Sequence, residues 1–441
     1  MNLENILIFV GLGNLLMAFL IFYRLRQPTS MILWAIKIFA SALSPFLFLT
    51  GLLIAVLGIV FPSGLLIAIG GSGALLFLVH ITKITQSPST GFENTFGREY
   101  VTKIPKNRKS FFLPKRYVLW LPKSPEANFE ADISFYTLPN SERKLLCDIW
   151  QPPSHIEPSG LAFIYLHGSA WAVWDKDGGT RKLFRHLTAQ GHVIMDVAYL
   201  LFPETNFMGM VHDVKHAVNW MKNHADIYGI DPNRIVLGGA SAGGHLALLA
   251  AYTSGNDVFS PSDLKGLDLS VSGVISLYGP TDLVATYYHC GQDMVHKKKS
   301  QKKEMEKTAE IPLWVQKMVG KQIRRLGFDK DVEPGMLEPM LDGSPMKKSE
   351  AYAQFSPISY VHKDCPDTML IQGEHDIITS PKATLELYFE LIEKKVPAVL
   401  HMLSQTDHAF DLILPKISPS AHSAIYDIER FLALMVHKNH L

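Results

Sequence analysis

Ile235-Val-Leu-Gly-Gly-Ala-Ser241-Ala-Gly-Gly-His245-Leu-Ala-Leu-Leu-Ala-Ala251 is the stretch that decides how this chain is read. An apolar run, Ile235 to Leu237, leads into Gly239-Ala240-Ser241-Ala242-Gly243, and a helix-compatible run follows from His245 to Ala251. Strand, sharp turn and helix in that order are the setting of a nucleophile elbow, which lifts a serine hydroxyl clear of the backbone so that a base can take its proton. Small residues two before and two after the serine leave room for the turn. The pentapeptide alone says little, because glycine makes up about 7% of an average chain. Its partners, and their order, say more.

Upstream, Leu161-Ala-Phe-Ile-Tyr-Leu166 reads as a buried strand that ends in His167-Gly168-Ser169-Ala170-Trp171. Small residues there suit backbone N–H groups aimed at a developing alkoxide, joined by the N–H of Ala242 just after the serine. Downstream, the apolar run Met369 to Gln372 ends in Gly373-Glu374-His375-Asp376, a loop acid at a strand end. Last comes the strand-like run Pro397 to Leu403, followed by Thr406-Asp407-His408-Ala409-Phe410. Oxyanion segment, serine, acid and histidine therefore occur in the order that a serine hydrolase of this kind requires. Open α/β sheets gather such groups at the carboxyl ends of their strands.

The rest of the chain supplies the sheet. Ile133 to Trp150 gives two strand-like runs around Leu138-Pro-Asn-Ser-Glu142, a hairpin pattern. Further strands are expected at Ala162–Leu166, Val193–Ala198, Ile235–Leu237, Val271–Leu277, Met369–Gln372 and Ala398–Leu403. Helical runs fall between most of them, as from Val211 to Tyr228, where Val214, Ala217, Val218 and Met221 recur at helical spacing. This alternation predicts an α/β fold with a mostly parallel sheet covered by helices on both faces.

On these residues the chain resembles the α/β-hydrolase superfamily, specifically carboxylesterases of the hormone-sensitive-lipase and feruloyl-esterase-like type. The matching motifs run from about Asp148 to the C-terminus. They include Asp231-Pro232-x-Arg234-Ile235, Gly238 to His245, Tyr278-Gly279-Pro280-Thr281-Asp282, Phe355-Ser356-Pro357-Ile358, Gly373 to Asp376 and Asp407 to Phe410. The resemblance implies Ser241 as nucleophile, His408 as base and then acid, and Asp376 as the group that orients the imidazole. It implies an oxyanion hole from Gly168, Ser169, Ala170 and Ala242, a small-molecule or lipid ester substrate, and no metal or organic cofactor. Two departures stand out. The family's His-Gly-Gly-Gly or His-Gly-Gly-x-Trp is here His167-Gly168-Ser169-Ala170-Trp171, so a positive φ at Ser169 would be strained. Relatives usually carry an arginine after the tyrosine at Tyr199, where this chain has Leu200.

Competing assignments exist for each group. His401 and His422 are alternatives to His408, although His401 lies inside an apolar run and His422 in an expected helix. Glu374 and Asp407 compete with Asp376. His167, His245 and His375 read as packing or supporting residues beside the motifs. No H-E-x-x-H or C-x-x-C occurs, and the three cysteines, Cys147, Cys290 and Cys365, are an odd number for a disulfide framework and fit a reducing compartment. A peptidase or amidase would use the same three groups. A binding protein on this fold is the alternative from a different class.

The first third carries a different pattern. Ile6 to Tyr23, Ile38 to Phe61 and Gly64 to Ile81 contain no Asp, Glu, Lys or Arg, and Pro62-Ser63 separates the last two. At about 1.5 Å per residue each is long enough to cross a hydrocarbon core of about 30 Å. Three transmembrane helices are expected within residues 1–85, with two as the alternative. Glu4 stands where a signal peptide would be basic. Arg24, Arg26 and Lys37 flank the first two runs, and Lys83, Arg98, Lys103, Lys106, Arg108, Lys109, Lys115 and Arg116 follow the third, which places the catalytic domain in the cytosol. Asn14, Gly70, Gly71 and Gly73 suit helix packing.

Residues 86–125 read as a basic juxtamembrane linker and 126–441 as the hydrolase domain, with a lid insertion at about 283–352. The run Lys297-Lys-Lys-Ser-Gln-Lys-Lys303 and the apolar residues after it suggest a lid that rests on anionic lipid. A formal net charge of +1 gives no reason to expect a nucleic-acid partner.

Overall fold

The computed structural model describes residues 3–25, 31–86, 91–104, 111–139, 141–168, 170–291 and 336–437. Ser169, Arg26, Lys106, Arg108, Lys109, the Lys297–Lys303 run and most of the lid insertion lie outside them.

Four apolar helices come first, α1 (Leu3–Phe22), α2 (Met31–Ala42), α3 (Ser44–Val60) and α4 (Gly64–Gln86), followed by the short α5 (Phe92–Phe96) and α6 (Tyr100–Lys103). Eight strands then alternate with helices: β1 (Asn128–Thr137), β2 (Lys144–Gln151), β3 (Ala162–Leu166), α7 (Arg181–Thr188), β4 (Val193–Val197), α8 (Phe207–Asn223), α9 (Ala225–Tyr228), β5 (Ile235–Ala240), α10 (Ala242–Tyr252), β6 (Gly273–Leu277), α11 (Leu283–His289), α12 (Leu337–Leu341), α13 (Ser349–Gln354), β7 (Asp367–Gly373), α14 (Pro381–Glu393), β8 (Ala398–Leu403) and α15 (Pro419–His437).

The sheet runs β1-β2-β4-β3-β5-β6-β7-β8. Its first two pairings are antiparallel and the rest are parallel. Side chains alternate across it with the period of two that a strand imposes. Ala162, Ile164 and Leu166 of β3 enter one core with Val214 and Met221 of α8 and Leu246 and Leu249 of α10. Phe163 and Tyr165 enter the other with Phe184 of α7 and Phe431 of α15. Residues buried on both faces account for the continuous apolar runs that marked these strands.

Two expectations are corrected here. The run Ile38 to Phe61 is not one helix: α2 and α3 meet at Leu43 with a bend of 79°. Pro45 enforces the break, since it has no N–H to donate and its ring crowds the preceding turn. The second correction concerns the expected linker. Phe92, Phe96, Ile104 and Phe112 are buried in the core that also holds Phe431, and the Phe96 ring meets Phe431 edge-on at 5.9 Å. Residues 91–104 thus pack against the hydrolase as part of its core.

Within the apolar region α3 and α4 approach closely where Gly70 faces Gly51. A Cβ at Gly70 would lie 2.6 Å from the Gly51 carbonyl oxygen, whereas one at Gly71 would meet open space. Asn14 donates through Nδ2 to the Leu47 carbonyl at 3.0 Å. The outward faces carry Phe9, Leu16, Leu53, Ile59, Val60 and Leu75, all exposed. Leu3–Phe22 and Gly64–Gln86 are each long and apolar enough to cross a membrane, and α2 with α3 makes a third candidate if the bent pair is one span.

The tightest constraint lies where β5 turns into α10 beneath the end of β3. A Cβ at Gly243 would sit 2.0 Å from the Leu166 carbonyl oxygen, backbone that cannot move aside without disturbing the sheet. We expect Gly243→Ala to destabilise the fold by about 3 kcal/mol or more, read as a lowered thermal midpoint or lost folded yield. Gly255→Ala, into open space, should leave both near the parent.

Candidate active site

Parallel strands end at one edge of the sheet, and this edge collects the residues singled out above. Ser241 follows β5 directly, Asp376 lies on the loop after β7, His408 on the loop after β8, and His167-Gly168 on the loop after β3. Because β3 and β5 are neighbours, the loop that carries Gly168 lies against the elbow. A Cβ at Gly168 would stand 2.8 Å from the Ala240 carbonyl oxygen and 3.2 Å from the Ser241 Cβ.

Ser241 has φ 53° and ψ −119°, a conformation that L-residues rarely hold and that the surroundings must enforce. Its N–H donates to the Leu277 carbonyl at 2.9 Å, and its own carbonyl accepts from the His245 N–H at 3.0 Å. The hydroxyl is thereby fixed at the start of α10, where Ala242 is the first residue and free helix N–H groups favour negative charge.

The structure brings Ser241, His408 and Asp376 together. Ser241 Oγ lies 3.0 Å from His408 Nε2, and His408 Nδ1 lies 2.8 Å from Asp376 Oδ2. Asp376 Oδ2 also accepts from Gln372 Nε2 and Thr379 Oγ1, each at 2.9 Å, while Oδ1 accepts from the N–H groups of Ile378 at 2.8 Å and Thr379 at 2.9 Å. Burial alone would raise this carboxyl; the His408 imidazole and the hydrogen bonds from Thr379 and Ile378 outweigh it and hold the group below its usual value. An ionised Asp376 facing Nδ1–H leaves the lone pair of Nε2 directed at the serine. Tyr278 packs on the His408 ring at 4.4 Å between centroids and donates its hydroxyl to Asp411.

The competing residues go elsewhere. Asp407 is turned away from the His408 ring, toward Trp34 Nε1 at 2.9 Å and Lys37 Nζ at 3.4 Å. Glu374 accepts from the Gln405 N–H at 3.1 Å. His401 pairs with Asp427 at 2.7 Å, and His422 donates through Nε2 to the Pro415 carbonyl at 3.0 Å. His245 accepts from Trp171 Nε1 at 3.2 Å and donates to the Phe355 carbonyl at 2.8 Å, so it braces α10 against the loop after β3. His167 stacks on Tyr199, whose hydroxyl donates to the His167 carbonyl at 2.8 Å. Burial lowers His167 and His245 to about 4, and burial with Lys37 and Arg24 nearby lowers His375 to about 3, which keeps all three neutral.

Ser169 is outside the described residues. Beside it the positive φ values fall on Ala170 (48°) and Trp171 (62°). Gln372 and Thr379, which fix Asp376, were not singled out from the sequence; their positions four before and three after the acid are the local signal that points to them. Lys37 and Trp34 gave no such signal, lying more than three hundred residues away in the chain.

Comparison with known proteins bears on the fold that carries these residues. A family model described as BD-FAE matches residues 147–323, and one for the prolyl oligopeptidase family matches residues 326–438. The chain has the α/β-hydrolase fold. It is 28% identical over 296 residues to the probable carboxylic ester hydrolase LipM of Mycobacterium tuberculosis, covering 66% of this chain and 59% of that protein. It is 24% identical over 280 residues to esterase LipC of the same organism, covering 63% of this chain and 60% of that protein. The chain thus spans about three-fifths of the length of these curated relatives. Among solved structures, a truncated carbohydrate esterase from gut microbiota aligns with TM-score 0.50 at 19% identity, over 72% of this chain and all of that one. That likeness concerns the α/β-hydrolase fold. Ser241 falls within the first matched segment, and Asp376 and His408 within the second.

Buried neutral histidines set a pH dependence. His245 titrates near 6.5 when unfolded and about 4 when folded, so its folded-state advantage is complete above pH 6.5 and is lost as pH falls toward 4. The thermal midpoint should therefore drop across that window, and His245→Asn should flatten the slope there even with a lower midpoint at pH 7. An unchanged slope would contradict the assignment.

Proposed function

We propose that this α/β-hydrolase is a membrane-anchored carboxylesterase that cleaves acyl esters through an acyl-enzyme on Ser241. The observation that carries the reading is the continuous hydrogen-bonded line from Ser241 Oγ through His408 to Asp376, at 3.0 and 2.8 Å. Ser241 attacks the carbonyl carbon while His408 Nε2 takes the hydroxyl proton. The tetrahedral oxyanion is received by backbone N–H groups of Gly168, Ala170 and Ala242. His408 then gives its proton to the leaving alcohol as the C–O bond breaks, activates a water against the acyl-enzyme, and returns its proton to Ser241 as the carboxylic acid leaves. Asp376 stays ionised and keeps the imidazole in the productive tautomer.

The sequence relationship to LipM and LipC, named as ester hydrolases, favours esters as the substrate class. Residues 1–85 form the proposed membrane region, 86–125 a juxtamembrane segment docked on the hydrolase, and 126–441 the hydrolase with a lid at about 283–352. We read the region as three crossings, with the basic residues after the third apolar run favouring a cytosolic hydrolase. Arg24, after α1, donates to the Glu374 carbonyl at 2.9 Å, and the Ile84 carbonyl near the end of α4 accepts from Ser423 at 3.3 Å, so both ends lie on the hydrolase side. A small-molecule or membrane-dissolved ester is the proposed substrate.

The match of residues 326–438 to the prolyl oligopeptidase family favours one second reading, an amidase or peptidase with the same three residues. Turnover of ester and amide analogues that share one acyl group decides between them. We expect kcat on the ester to exceed that on the amide, and to fall by at least about 10⁴-fold in Ser241→Ala and Asp376→Asn. Faster amide turnover would favour the second reading. Ester activity that persists in Ser241→Ala would overturn both.

A further inference from the structure

The apolar N-terminal region touches the hydrolase at the two loops that carry His408 and Asp376. Lys37, on α2, is 1% exposed. Its Nζ donates to the Tyr23 carbonyl at 3.1 Å, meets His375 Nδ1 at 3.0 Å and pairs with Asp407 Oδ2 at 3.4 Å. His375 immediately precedes Asp376, and Asp407 immediately precedes His408. One ammonium group therefore bridges the chain neighbours of both members of the relay.

Asp407 completes the joint. Its Oδ1 accepts from Trp34 Nε1 at 2.9 Å, from the His408 N–H at 2.9 Å and from the Ile377 N–H at 3.2 Å. The same carboxylate thus ties α2 to the His408 loop on one side and to the Asp376 loop on the other. Around it Leu25, Trp34, Ile38 and Ala42 pack with Ile377 and Ile413. A helix that merely anchored the protein would need no buried cation, because apolar side chains pack as well without losing the hydration of an ammonium and a carboxylate.

We propose that Lys37 is a positioning residue for the His408–Asp376 pair, so that the N-terminal apolar region is a working part of the active site. This rests on the esterase reading only for its kinetic readout. Substrate does not meet Lys37; its role is to hold the two loops in one register, and a displacement of about 1 Å at such a relay costs on the order of 100-fold in rate.

The test uses the full chain in detergent or nanodiscs, with Lys37→Met, Asp407→Asn and the double variant. For each, kcat and KM on a soluble ester and backbone hydrogen–deuterium exchange over residues 373–380 and 404–412 are measured. Lys37→Met leaves a buried carboxylate without its cation, so we expect kcat to fall about 10- to 100-fold with KM changed less than about twofold, and exchange in both loops to rise. Asp407→Asn keeps the Oδ1 acceptor and removes the stranded charge, so the double variant should regain at least about tenfold of the lost kcat and restore protection. A Lys37→Met protein with parental kcat and parental exchange, or a double variant no better than Lys37→Met, would overturn the proposal. If Lys37→Met does not fold, recovery in the double variant decides alone. A parent inactive on every ester would sink the esterase reading, and the exchange data would still decide the role of Lys37.

Discussion

The imidazole of His408 is held from both sides, and the rest of the structure depends on that grip. On one side stands a serine whose backbone is fixed in a rare conformation; on the other stands a carboxylate fixed by Gln372, Thr379 and two backbone N–H groups. Neither side is adjustable. The serine is pinned because β5, α10 and the end of β3 meet at contacts that tolerate no side chain at Gly243, and the carboxylate is pinned because every lone pair facing its loop has a donor. In the proposed reaction, preorganisation of this kind spares the serine and the acid any rearrangement as charge develops.

Much of this was legible in the sequence for a physical reason. Strands covered on both faces must be apolar throughout, so β3 to β8 stand out as short continuous runs, and the punctuation after them marks the sheet edge where chemistry collects. The elbow was legible because its turn admits only small residues. What was not legible is long-range. Glu374, Asp376 and Asp407 all lie within a few residues of the edge; the loop position after a strand pointed to Asp376, but nothing local showed that Asp407 turns toward Trp34 and Lys37. Lys37 reads as a flanking charge of the kind that orients a membrane helix, and in the structure it is buried. The helix break before α3 had a local signal, Pro45, outweighed by the apolar run around it. The docking of Phe92, Phe96, Ile104 and Phe112 was hidden in a segment whose basic composition resembles a tether.

The apolar region and the hydrolase are therefore one piece of engineering in energetic terms. The bend at Leu43 lets α2 lie against the β7 and β8 loops, while α1, α3 and α4 present Phe9, Leu16, Ile59 and Leu75 outward. Outward apolar surface on this scale is what a bilayer satisfies and water does not. The proposed ester substrate would meet a sheet edge whose loops are braced by α2 of the apolar region.

The central claim is that Ser241 is the nucleophile and that His408 activates it. The most direct measurement is peptide mapping by mass spectrometry after the full chain reacts with a fluorophosphonate, in the parent and in His408→Ala. The account predicts one phosphonyl adduct, on Ser241, that forms rapidly in the parent and is slowed by orders of magnitude in the variant. An adduct on another residue, or equal labelling of Ser241 in both proteins, would contradict it.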